Sequence, residues 1–145
     1  MTGFFMMVCD GGNPPARLEH HLRITNPDDA IGILKEWYRD KPQEAVCTIT
    51  LDGAHQVIAI RLVTIGLVNQ SQIHPREIFR GAVADNACSV MIAHNHPSGN
   101  LAPSSDDIAV AKKLQEAGEI LGIRLLDSLI ISGDDFKSMH GEGYF

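Results

Sequence analysis

Between Ser89 and Asp107 the chain reads SVMIAHNHPSGNLAPSSDD, which packs a strand, a sharp turn and a helix start into one short run. SVMIA (Ser89 to Ala93) has the length and apolarity of a buried strand. Side chains two apart on a strand leave from the same face, so His94 and His96 both point at one spot beyond its end. Pro97, Ser98 and Gly99 then turn the chain. Ser104-Ser105-Asp106-Asp107 opens a helical pattern, with Asp107 in its first turn. Two imidazoles from a strand end and a carboxylate from a helix start make three ligands, the set of a catalytic zinc site whose fourth position stays open for water. A structural zinc site needs a fourth protein ligand, and none is near in sequence.

Each fragment also has a plainer explanation. Histidines on strand ends are common, Ser104-x-x-Asp107 is a helix N-cap, and an aspartate near a helix N-terminus is favoured by the macrodipole. The conjunction is more specific than its parts. Capping and ligation are compatible, because a capped first turn holds Asp107 rigidly.

His94-x-His96, seven residues, Ser104, two residues, Asp107 spells H-x-H-x7-S-x2-D, and this pattern resembles the signature of the JAMM/MPN+ metallopeptidase-like domains. HPREIFRGAVADNACSVMIAHNHPSGN (His74 to Asn100), with LGIRLLDSLIIS (Leu121 to Ser132), is similar to the RadC branch of that superfamily, from about Asn26 to the C-terminus. The resemblance implies an MPN/JAB domain of cytidine-deaminase-like architecture holding Zn2+ at His94, His96 and Asp107. It further implies a glutamate base just before the first core strand, which maps onto Glu44, and a hydroxyl at Ser104 that bonds the water or the developing oxyanion. Glu77 is the rival base, and Ser104 has capping as its alternative role. Asn95 stands where the deubiquitinase branch carries serine or threonine, and HNHPSG is the RadC-like form. RadC-like chains often have a histidine after the aspartate of LLD; here it is Ser128. Ser98 is expected to be a turn residue, since no free histidine remains to activate it.

Length suits one domain with a proper core, and 44% hydrophobic residues exclude overall disorder. The net charge of −6 argues against broad adhesion to DNA or anionic membranes. Cys9, Cys47 and Cys88 are odd in number and scattered, so they read as reduced thiols, with Cys47 and Cys88 small core residues and none a zinc ligand. No apolar run reaches the length of a membrane span, and MTGFFMMVCDGG lacks a basic n-region, so a cytoplasmic protein is expected.

Residues 1 to about 23 read as an N-terminal tail: an apolar patch from Phe4 to Cys9, then the breaker-rich DGGNPPAR. His20-His21 are expected at the surface, since adjacent histidines diverge. The domain is expected over 24–145. Asn26-Pro27-Asp28-Asp29 starts a helix whose Ala30, Ile31, Leu34, Trp37 and Tyr38 lie on one face, and Lys41-Pro42 ends it. AVCTITL (Ala45 to Leu51) is a strand, Asp52-Gly53 a hairpin-type turn, and Val57 to Val68 the next strand, with Gly66 a bulge or close-approach point. A second helix begins at His74-Pro75, with Ile78, Phe79, Ala82 and Val83 inward. A third runs from about Ser105 to Leu121 through Ile108, Ala111, Leu114, Ala117 and Leu121, closed by Gly122. Arg124 to Ser132 is a buried strand, and FKSMHGEGYF supplies an edge strand. Helices alternating with a mixed sheet make a three-layer α/β domain.

The leading expectation is a zinc-dependent hydrolase cutting a peptide or isopeptide bond. A second is a DNA-transaction accessory factor, as the RadC resemblance suggests. The helix-hairpin-helix module common in RadC-like proteins is not found in this sequence, which lowers that expectation. A third is a scaffold that keeps the metal without a substrate cleft. The specificity loops carry no readable code for substrate, nor does any stretch encode an oligomeric state.

Overall fold

The computed structural model describes residues 6–9, 16–18, 22–38, 43–65 and 73–145. Three helices and seven strands alternate along it: β1 (Met6–Cys9), β2 (Ala16–Leu18), α1 (Pro27–Tyr38), β3 (Ala45–Leu51), β4 (Val57–Ile65), α2 (Pro75–Ala84), β5 (Ser89–Asn95), α3 (Ser105–Leu121), β6 (Arg124–Ser132) and β7 (Asp135–Ser138). The sheet order is β2-β1-β4-β3-β5-β6-β7. It is mixed: β5 pairs β6 in parallel across the α3 crossover, while β3 runs antiparallel to both β4 and β5.

Strand parity sorts the core into two layers. Cys47, Ile49, Met91, Ala93, Leu129 and Ile131 face α1, where Ala30, Ile31, Leu34 and Tyr38 pack on them. Val46, Val90, Ile92 and Leu125 face the other way, against Ile78, Phe79 and Ala82 of α2 and Val110 and Leu114 of α3. β3 and β5 are buried along their whole length, as inner strands covered on both faces must be. The layers are therefore helix, sheet, helix pair, the three-layer α/β arrangement expected.

The element ends follow local chemistry. Asn26 caps α1, its Oδ1 accepting from the Asp29 amide. His74 caps α2 through Nδ1, with Pro75 at the first helical position. Gly122 closes α3 in the left-handed region at φ 72°. Asp85, just past α2, is gripped bidentately by Arg61 at 2.6 and 2.5 Å and receives the Thr50 hydroxyl at 2.6 Å, tying the helix end to β4 and β3.

Several expectations need correction. The segment read as a tail contributes β1, paired in parallel with β4, and β2, paired with β1. Cys88 is exposed, because it stands in the turn just before β5. Val83 is 58% and Leu121 50% exposed, lying in the last turns of α2 and α3 where the two helices flank an open groove. The β3–β4 turn places its left-handed residue at His55 (φ 61°), with Asp52 Oδ1 accepting from the Ala54 and Gln56 amides. His20, His21, Lys41, Pro42 and Gly66 lie outside the described residues.

Where α3 hands over to β6, a side chain has no room. A methyl group on Gly118 would run into the Ile123 carbonyl and press on the Phe79 ring at 3.3 Å. We expect Gly118→Ala to lower unfolding free energy by about 1–3 kcal/mol, read as a lower urea midpoint at unchanged slope. An unmoved midpoint would mean that the turn yields without cost.

Candidate metal centre

The site lies where β5 ends and α3 begins. His94 and His96 have the same parity as Val90 and Ile92, so both rings leave β5 on the α3 side. His94 is 1% exposed; His96, one step further out, is half-buried. Their Nε2 atoms are 3.0 Å apart. Asp107 reaches them from the first turn of α3: Oδ1 is 3.6 Å from His94 Nε2, and Oδ2 is 3.8 Å from His96 Nε2.

Asp107 is locked by a reciprocal cap. Its amide donates to Ser104 Oγ at 3.0 Å, while its Oδ2 accepts from the Ser104 amide at 2.8 Å. Beyond His96, the Gly99 amide donates to the His96 carbonyl, with Gly99 at φ 90°, so the P-S-G turn swings the chain back. That turn brings the Asn100 carbonyl within 2.6 Å of His96 Nδ1. A carbonyl only accepts, so Nδ1 carries the proton and Nε2 of the neutral ring presents its lone pair to the cluster.

Burial by itself would raise the Asp107 carboxyl. The His94 imidazole and the two Ser104 donors outweigh it and hold the value at about 2. Asp107 is thus a carboxylate at any neutral pH. Two donors on a tetrahedral zinc lie about 3.3 Å apart; the histidine nitrogens stand 3.0 Å apart, and Asp107 approaches each through a different oxygen, at 3.6 and 3.8 Å. Two imidazole nitrogens and an ionised carboxylate, converging without a basic side chain among them, are a donor set that zinc fits.

Glu44 stands at the same place from the other side, immediately before β3. It offers a carboxylate oxygen that lies, with the two histidine nitrogens, within a mutual 4.8 Å. It is half-buried, whereas Asp107 is 4% exposed. Of the sequence candidates, the fold brings together Glu44, His94, His96 and Asp107, with Ser104 bonded to the last. Glu77 is exposed in the first turn of α2 and belongs to no such group. Asp127 accepts from the Ser128 and His140 amides and the Ser138 hydroxyl, so it ties β6 to β7 and the C-terminal turns.

Two residues that sequence reasoning passed over hold the site from behind. Tyr38 was visible only as part of the α1 core stripe. Its hydroxyl lies 2.8 Å from the Ala93 carbonyl, 3.1 Å from the Ala45 carbonyl and 3.2 Å from Cys47 Sγ. Asn95, read as a branch marker, accepts from the Ala45 amide at 2.7 Å and donates to the Gln43 carbonyl at 3.1 Å. The available signal was parity: a residue between two same-face histidines must point to the opposite face.

A helix–sheet–helix domain with a His-x-His strand tip facing a helix-borne aspartate is a JAB/MPN-type domain. The chain belongs to the RadC-like JAB domain family, whose model matches residues 24–144. It is 47% identical over 131 residues to a UPF0758 protein of Methanospirillum hungatei JF-1, covering 90% of this chain and 58% of that protein. It is 41% identical over 125 residues to a UPF0758 protein of Caldanaerobacter subterraneus subsp. tengcongensis (86% and 54% covered). A UPF0758 protein of Methanosarcina mazei is 38% identical over 126 residues (87% and 55%). The chain spans about half the length of the curated relatives it matches. Among the described residues no helix is long and apolar enough to cross a membrane.

The depressed Asp107 value has a measurable consequence. Its folded value lies below the unfolded one near 3.9, so its ionised form contributes stability in full above about pH 4 and loses it as pH falls through about 2. In metal-free protein, the stability difference between wild type and Asp107→Asn should shrink by about 2 kcal/mol between pH 4 and pH 2, followed by urea unfolding. A difference that ignores pH would mean these contacts do not hold Asp107 ionised.

Proposed function

We propose that this domain is a zinc-dependent hydrolase of the metallopeptidase type, acting on a peptide or isopeptide bond. One observation carries the reading: two imidazole nitrogens and a buried carboxylate converge to within 3.8 Å, with a second carboxylate, Glu44, beside the histidines. His94, His96 and Asp107 would hold the ion. Bound there, zinc supplies Lewis acidity and lowers the pKa of its water to about 7.

The remaining work falls to side chains. Glu44 accepts the proton of the attacking water as the O–C bond forms, and returns it to the amine nitrogen as the C–N bond breaks. The division of labour follows environment: the buried, doubly capped carboxylate is the ligand, and the half-buried one moves the proton. Ser104 spends its oxygen lone pair on the Asp107 amide. Its O–H, one of the groups that hold Asp107 ionised, would have to turn from that carboxylate to donate to the oxyanion that develops on the scissile carbonyl. A cleft of about 420 Å³ touches His96 but opens on the α1 side, lined by Lys35, Tyr38, Asn95, Pro97 and Asp134 among others, so it lies behind the cluster and has no part in this reading.

The test is metal content followed by turnover. Purified protein should take up one zinc per chain, and His94→Ala should lose it. Glu44→Gln should keep the zinc and lower turnover of the best substrate in a peptide and isopeptide panel by about 10²- to 10⁴-fold. Failure to load zinc stoichiometrically would end this reading.

A further inference from the structure

We propose that Asn95 is a positioning residue for Glu44: its side-chain amide grips the backbone on both sides of that glutamate and fixes where the carboxylate stands relative to the two histidines. The inference rests on the reading of Glu44 as the proton-transfer group.

β3 and β5 part company just short of the site. Their antiparallel register runs from Leu51↔Ser89 to Val46↔His94. One step further on, the Ala45 amide is met by the Asn95 side chain, Oδ1 accepting at 2.7 Å. Meanwhile β5 stays with β6, since the His96 amide donates to the Ile131 carbonyl at 2.8 Å. The two strands that carry Glu44 and the histidines are therefore joined at this point through a side chain.

Asn95 uses both ends of its amide on this task. While Oδ1 takes the Ala45 amide, Nδ2 donates to the Gln43 carbonyl at 3.1 Å. The two groups flank Glu44, so its backbone has little freedom to rotate its side chain away from the site. Only an amide supplies an acceptor and a donor in this fork; aspartate lacks the donor, and leucine of similar shape lacks both. Asn95 is itself buried, and its covalent neighbours are His94 and His96, so any placement it imposes on Glu44 is measured from the histidines. Tyr38 supports the same junction, its hydroxyl reaching the carbonyl before His94 and the carbonyl after Glu44.

The experiment uses the full chain loaded with Co2+, whose visible absorption bands report the surroundings of the ion without any need for a substrate. Glu44→Gln is measured first and should shift the bands. Asn95→Ala should shift them in the same sense, with Co2+ affinity held within about threefold, well short of the loss that follows removal of a ligand-orienting contact. Its Ala45 amide should exchange with solvent about 100-fold faster, while the Ile49 amide, deep in β3, keeps its protection. Adding Asn95→Ala to Glu44→Gln should change the bands no further, since the effect runs through Glu44. If Asn95→Ala does not fold, Asn95→Leu replaces it in the same cycle, because it keeps a similar shape and removes both the acceptor and the donor without adding a charge. Bands that move with Glu44→Gln but not with the Asn95 variant, or shifts that simply add, overturn the positioning role. Bands unmoved by Glu44→Gln itself remove the role given to Glu44, and this inference falls with it.

Discussion

A histidine ring sealed into a protein interior needs a partner for each of its polar atoms, and His94 has its Nε2 facing another ring nitrogen and a carboxylate. Three polar groups share a seam in which His94 and Asp107 are buried and His96 is half-buried. Burying them separately would be costly, and each is tolerable because the others are there. The carboxylate is ionised by its neighbours, the outer imidazole has its tautomer set by a backbone carbonyl, and the two ring nitrogens face one another across 3.0 Å. Unless His94 carries its proton on Nε2, that pairing sets two lone pairs opposed, a conflict that a cation resolves. The surrounding structure serves to keep this seam closed.

Strand parity accounts for much of how it is closed. Odd positions of β5 pack on α1 and even positions on α2 and α3, and the same rule, carried past the last apolar residue, aims His94 and His96 at α3 and Asn95 at α1. The histidine face and its support are thus two sides of one strand. Ser104 adds a second economy, because the bonds that start α3 are the bonds that orient Asp107. A helix that frayed at its first turn would lose the placement of Asp107 along with the cap.

The two carboxylates illustrate how environment separates roles for chemically similar groups. Asp107 is short, deeply buried and doubly bonded to Ser104, so it is rigid. Glu44 has a longer side chain, is half-buried and hangs from a junction between a loop and a strand, so its position depends on what holds that junction. Membership of the RadC-like JAB family accords with this arrangement. It leaves the substrate to be found by experiment, since the matched stretch covers only 54–58% of the relatives compared.

Much was readable in the sequence because it rests on local rules. Apolar runs of strand length, the Ser104–Asp107 cap, Gly122 at the end of α3 and the two-residue spacing of the histidines depend on near neighbours only, and the element bounds of β3, α3 and β6 came out where expected. Motif resemblance supplied Glu44, which no local rule could select. What only the tertiary structure decided were the relations between segments far apart in the chain. These are the distance from the β5 tip to the first turn of α3, the choice between Glu44 and Glu77 as the carboxylate beside the histidines, the pairing of β1 with β4, and the hold of Asn95 and Tyr38 on the start of β3. Contacts across fifty residues depend on how whole layers stack, and burial at helix ends, as at Val83 and Leu121, depends on what those layers leave uncovered. A one-dimensional pattern carries the period of a helix or strand, but it does not carry which neighbour will stand opposite.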